Sequence, residues 1–173
     1  MRYWSLLIGL IAAPRLLAQG EPISAGCTDE ARRGLDFWIG TWTVTNPQGQ
    51  PAGRNEITRI SGGCGLLERW ESPGANGSTF RGVGHHVFDP IRGVWKQLWS
   101  DTSGRAQDME GEVKNGVVIY RWTIAASAGP SALGRYTVSR LAEGKVRQFG
   151  ERSTDGGKTW HPTFDYLYTR VSA

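Results

Sequence analysis

The stretch Gly84-His85-His86-Val87-Phe88-Asp89-Pro90-Ile91-Arg92-Gly93-Val94-Trp95-Lys96-Gln97-Leu98-Trp99-Ser100-Asp101 decides the fold. It reads as two strands joined by a tight turn at Asp89-Pro90-Ile91-Arg92-Gly93, since Pro fixes φ at the second turn position and Gly closes the turn. Pairing Phe88 with Trp95 sets His86 against Gln97 and Gly84 against Trp99, with Asp101 beyond them on the same face. His85 and Val87 then share the opposite face with Lys96 and Leu98. Neighbouring strand residues point to opposite sides, so His85 and His86 cannot ligate one metal ion, and His161 is distant in the chain. No metal or cofactor is therefore expected, zinc and haem included.

The same signals continue on both sides. Period-two alternation, Val/Ile/Thr/Trp/Tyr enrichment and regular Gly-containing turns predict strands over 37–46, 54–61, 65–72, 79–88, 94–101, 106–113, 117–125, 134–141, 146–152 and 162–171. Lys114-Asn115-Gly116 is a strong hairpin turn, because Asn-Gly takes positive φ readily, and Glu143-Gly144-Lys145 is another. Sequential strands with short turns predict an all-β domain built as one up-and-down antiparallel barrel of about ten strands. A two-sheet β-sandwich is the alternative. Thr28-Asp29-Glu30-Ala31-Arg32-Arg33 predicts one short N-terminal helix, capped by Thr28 and ended by Gly34.

Residues 1–18 read as a secretory signal peptide: Met1-Arg2 is the positive end, Trp4 to Ala13 the apolar run, and Leu16-Leu17-Ala18 the cleavage region. A flexible lead-in over 19–27 and a single domain over 28–173 follow, in the periplasm or outside the cell. Cleavage near Ala18 lowers the formal charge from +4 to +2, with 18 Lys and Arg against 16 Asp and Glu. The basic residues are scattered singly among acids, which excludes a nucleic-acid partner. No later apolar run is long enough for a membrane span. The two cysteines, Cys27 and Cys64, fit a disulfide in an oxidising compartment. Ser24-Ala25-Gly26-Cys27 also resembles a lipoprotein attachment site, although Ser24 suits that site poorly and the apolar run ends early.

In Asp36-Phe37-Trp38-Ile39-Gly40-Thr41-Trp42, alternation puts Trp38, Gly40, Trp42 and Val44 on one strand face. A short helix running into a Gly-x-Trp strand resembles the opening of the lipocalins and their relatives, the calycins. That resemblance implies a barrel-end Trp packed under an Arg of the last strand, here Trp42 under Arg170. Asp36-Phe37-Trp38-x-Gly-x-Trp42, Gly63-Cys64-x-Leu66-x-Glu68-x-Trp70, Asp89-Pro90 with Trp95-x-Gln97-x-Trp99-x-Asp101, and Asp155-Gly156-Gly157-Lys158-Thr159-Trp160 occur together. The set resembles a family of small secreted bacterial proteins of unknown function, which implies a calycin-like barrel and no established activity. Gly150 departs from that pattern, where a Trp is expected, and either enlarges a cavity or marks a bulge. Ser153, Asp155, Gly157 and Trp160 match the Asp-box, which resembles the hairpin turns of sialidase propeller blades. One copy cannot build a propeller, so it reads as a staple for a single hairpin.

Leu66, Glu68 and Trp70 alternate together, which puts Glu68 on the side of the tryptophans. Trp42, Glu68, Trp70, His86, Phe88, Trp95, Gln97, Trp99 and Asp101 are thus the candidate lining of a pocket that is aromatic with a few polar groups. The competing reading is that Glu68, His86, Gln97 and Asp101 form a satisfied internal network or face solvent. Three functions follow. The favoured one is binding of a small, partly apolar ligand. The others are a surface module that holds glycan or protein through exposed aromatics, and an isomerase or hydrolase with Glu68, His86 and Asp101 as acid and base groups. No nucleophile elbow, phosphate loop or dinucleotide fingerprint is present, so the balance is against an enzyme.

Overall fold

The computed structural model describes residues 24–126 and 128–171; the signal peptide over 1–18 and the first part of the lead-in lie outside them. Ten strands form one closed antiparallel barrel: β1 Gly40–Thr45, β2 Pro51–Ile60, β3 Gly65–Pro73, β4 Thr79–Asp89, β5 Val94–Asp101, β6 Ala106–Lys114, β7 Val117–Ile124, β8 Ala132–Arg140, β9 Val146–Ser153 and β10 His161–Arg170. Each strand pairs with its neighbour in the chain, and β1 closes the ring on β10. A single closed sheet excludes the sandwich and gives the barrel that the calycin-like pattern implies. Asn115 and Gly116 take positive φ in the β6–β7 turn, as Asn-Gly turns require.

The decisive hairpin has the register that its turn dictates: Phe88 faces Trp95, His86 faces Gln97, Gly84 faces Trp99 and Gly82 faces Asp101. Gly93 closes the turn by donating its N–H to the Asp89 carbonyl at 2.8 Å.

The N-terminal segment departs from expectation in three places. The described end of the lead-in is held, not loose. Ala25–Cys27 form a 3-10 turn, and Cys27 is bonded to Cys64. The helix α1 is shorter than expected, Glu30–Arg33, and its cap is Asp29, which accepts the Arg32 N–H, while the Thr28 hydroxyl donates back to the Ala25 carbonyl. Finally, Asp36–Trp38 form a second 3-10 turn, so Trp38 is not on the strand face with Trp42 and Val44. That turn is fixed by ion pairs from Arg33 and Arg59 to Asp36. Trp38 is nonetheless fully buried.

The strand starts at Gly40. Its φ is 145°, in the region L side chains avoid, and a Cβ there would lie 2.1 Å from Arg170 Nη1. Arg170 uses that space to place its guanidinium 4.3 Å over the Trp42 ring and to donate to the Ile39 carbonyl at 2.8 Å. The contact expected from the resemblance is present.

This end of the barrel is sealed. Leu35, Trp38, Trp42, Ile57, Leu66, Trp95, Val118 and Val138 are buried together. The N-terminal segment lies across them, with the Trp95 indole donating to the Ala31 carbonyl at 3.1 Å and Arg32 over the Phe88 ring. The missing side chain at Gly150 makes room for the Phe164 ring, which a Cβ there would meet at 2.2 Å. Phe164 reaches that place because the β9–β10 register shifts between Pro162 and Phe164.

The Asp-box staples the β9–β10 hairpin. Asp155 accepts the Lys158 and Thr159 amides, Gly157 donates to the Ser153 hydroxyl, and the Trp160 indole donates to the Gly157 carbonyl. Hydrogen bonds from Thr159 and Ser153 hold the Asp155 carboxyl well below the usual carboxylate range. Arg135 lies 4.0 Å over the Trp160 ring.

Candidate functional site

Halfway along the barrel the interior changes from apolar to polar. Glu68 on β3 is 2 % exposed and accepts hydrogen bonds from Asn55 Nδ2 at 2.7 Å, His86 Nε2 at 3.1 Å and Gln97 Nε2 at 3.2 Å. Around it, the Tyr136 hydroxyl donates to Gln97 Oε1, the Tyr168 hydroxyl donates to Gln148 Oε1 at 2.7 Å, and the Tyr120 hydroxyl meets His86 Nδ1 at 3.0 Å. Gly84 gives this cluster its room, for a Cβ there would lie 2.8 Å from Glu68 Oε2 and 2.7 Å from Gln97 Nε2.

Beyond that layer the barrel is hollow. A cavity of about 600 Å³ runs from Glu68, Gln97, Met109, Tyr136 and Gln148 out to a rim at Asp101, Arg105, Glu151 and Arg152. Its walls are the rings of Trp70, Phe80, Trp99, Trp122, Phe164 and Tyr166. Several rings lie flat over glycines of the next strand: a Cβ at Gly82 would meet Trp99 at 2.0 Å, and one at Gly134 would meet Trp122 at 2.2 Å. Removing the side chain under each ring keeps the rings against the wall and the lumen open. The Trp122 indole N–H is buried with no partner among the described residues.

The nine residues expected to line one pocket are divided by height. Glu68, Trp70, Gln97, Trp99 and Asp101 line the cavity. His86 lies behind Glu68 with no exposed surface. Trp42, Phe88 and Trp95 belong to the sealed end, where Phe88 and Trp95 pack ring to ring. Glu68, His86 and Gln97 form the internal network weighed as the alternative, and Asp101 stands apart from it at the rim. Partial burial pushes the Asp101 carboxyl up, but hydrogen bonds from Ser103 and the Trp99 indole outweigh it and hold the group below its ordinary range. Asp101 bonds to the Trp99 indole, Ser103 and Arg105, so no direct hydrogen bond joins it to Glu68 or His86 as an acid–base set. The Phe, Tyr and Trp rings of the sheet are buried or half-buried: Trp95 is 2 % exposed, and Trp99 and Phe149 are half-buried.

Asn55, Phe80, Met109, Trp122, Tyr136, Gln148, Phe164 and Tyr166 are absent from the sequence-derived set. For several the signal was available: Asn55 alternates with the core residue Ile57, and Trp122 with Tyr120. Among the described residues no group of three or more His, Cys, Asp or Glu could hold a metal ion, and no helix is long and apolar enough to cross a membrane. No protein-family model matches the chain, and no curated protein matches its sequence.

Burial pushes the hydroxyls of Tyr120, Tyr136 and Tyr168 well above their ordinary value near 10, and the Glu68 charge pushes in the same direction. Folded chains therefore keep these protons where unfolded chains lose them, and the stability they lend is present below pH 10.0 and lost as pH rises above it. A pH titration is expected to show their tyrosinate absorbance appearing together with loss of near-ultraviolet circular dichroism. Smooth ionisation of all tyrosines with the dichroism intact would contradict the buried network.

Proposed function

We propose that this protein binds a small, partly apolar molecule inside the barrel. The observation that carries the reading is the cavity itself: about 600 Å³, walled by aromatic rings and floored by buried hydrogen-bonding side chains. That volume falls within the range of small-ligand sites, and a few fixed polar groups among apolar walls orient a ligand without excluding it. A core filled by side chains would have no such space. The Cys27–Cys64 bond and the signal-like residues 1–18 support a working place in the periplasm or outside the cell.

Nile red, a neutral dye that brightens in apolar surroundings, is expected to bind saturably at one site per barrel. Gln107→Trp, which adds an indole at the rim opposite Trp99, is expected to weaken that binding about tenfold or more, the effect of displacing roughly 1.4 kcal/mol of contact. Absence of saturable binding by the folded protein would sink the reading.

A further inference from the structure

We propose that the ligand is an organic cation, an ammonium-bearing molecule whose charge sits against Glu68 and whose apolar part lies between the rings of Trp99, Trp122 and Phe164. This rests on the cavity being a binding site and adds the ligand's charge.

Glu68 lines the cavity and is almost wholly removed from bulk water. Among the described residues, its one ion-pair contact with a base is His86, at 3.1 Å. The hydrogen bonds around that base are all satisfied by a single ring proton. His86 Nδ1 faces the Tyr120 hydroxyl, which has no other hydrogen-bond partner among the described residues. If the hydroxyl donates to Nδ1, and Nε2–H donates to Glu68, every proton has an acceptor. A doubly protonated His86 would leave the Tyr120 proton with none. The buried carboxylate thus has three hydrogen-bond donors and no Lys or Arg partner among the described residues, and a buried charge is costly unless it is paired.

A second observation points the same way. Asn55, 1 % exposed, gives its Nδ2 to Glu68 and keeps a buried Oδ1 with no donor among the described residues. Turning the amide over would set Oδ1 against the carboxylate, so the orphan is locked in place. The layer is therefore short of donors and short of positive charge. An ammonium group against Glu68, which lines the cavity, supplies the positive charge, and aromatic faces attract cations further. A carboxylate ligand would meet Glu68 with like charge. The charges at the rim do not reverse this preference: Arg105 is paired with Asp101, Glu151 with Arg135, and Arg152 is exposed where water screens it.

Three probes of one shape test the charge: 3-phenylpropylamine, 3-phenylpropanol and 3-phenylpropionate, each displacing Nile red. The amine is expected to bind the wild-type protein about tenfold or more tighter than the alcohol, with the propionate weakest. In Glu68→Gln, where Asn55 can turn to accept from the new amide, the amine is expected to lose that advantage. Equal binding of amine and alcohol to the wild-type protein, displacement by none of the three, or a ranking that survives Glu68→Gln would overturn the proposal. The wild-type ranking decides by itself if the variant does not fold. Failure of Nile red to bind at all would instead remove the cavity reading beneath it.

Discussion

Trp42→Ala is expected to lower the free energy of unfolding by about 3–5 kcal/mol, the range for truncating a large buried aromatic. Trp42 has no exposed surface, and its indole donates to the Trp38 carbonyl at 2.9 Å. Arg170 lies over one face, and Tyr168 meets it edge-on at 6.1 Å between centroids. Truncation would leave a cavity at the sealed end, an unpaired carbonyl and an Arg without its ring, so the loss should fall toward the top of that range. Denaturant unfolding measures it. A loss below about 1 kcal/mol would mean that the surrounding side chains collapse into the space. The folded fraction should still bind Nile red, because Trp42 does not line the cavity.

Removing the disulfide, by Cys27→Ala with Cys64→Ala or by reduction, is expected to cost about 4 kcal/mol by loop entropy. The bond spans 37 residues and ties the N-terminal segment to the turn between β2 and β3. That segment seals the barrel through Ala31 and Arg32, so its release would also weaken the contacts at Trp95 and Phe88. Unfolding midpoints with and without reductant give the difference. An unchanged midpoint would show that the remaining contacts hold the segment in place, among them Arg33, which reaches the Gly63 carbonyl at 2.7 Å.

Direction across the sheet was legible in the sequence, and height along the barrel was not. Alternation with one turn geometry was enough to set Phe88 against Trp95 and His86 against Gln97, and so to bring Glu68, His86 and Gln97 to the interior. It could not say that Trp95 is sealed while Trp99, four residues later, borders a cavity. That distinction depends on where the N-terminal segment docks, through a contact between Ala31 and Trp95 that no local pattern encodes. The turn at Asp36–Trp38 was missed for a related reason. Trp38 has strand-like spacing to Trp42, but ion pairs from Arg33 and Arg59 to Asp36 fold the chain before the strand begins. Asn55 was missed although its alternation with Ile57 marks the inner face, because a polar residue in a strand reads by type as solvent-facing.

The seam between β1 and β10 has a consequence in time. The Thr43 hydroxyl donates to the Thr169 carbonyl across 126 positions of the chain, and the Val171 amide closes onto Thr41. Residues 40–45 therefore have no partner on one side until 161–170 have been made. Up to that moment the emerging sheet carries two raw edges, the state most open to pairing with a second chain. Pairings so far apart in sequence also make closure slow. Closure of the ring thus waits for its last strand, in whatever order the others pair.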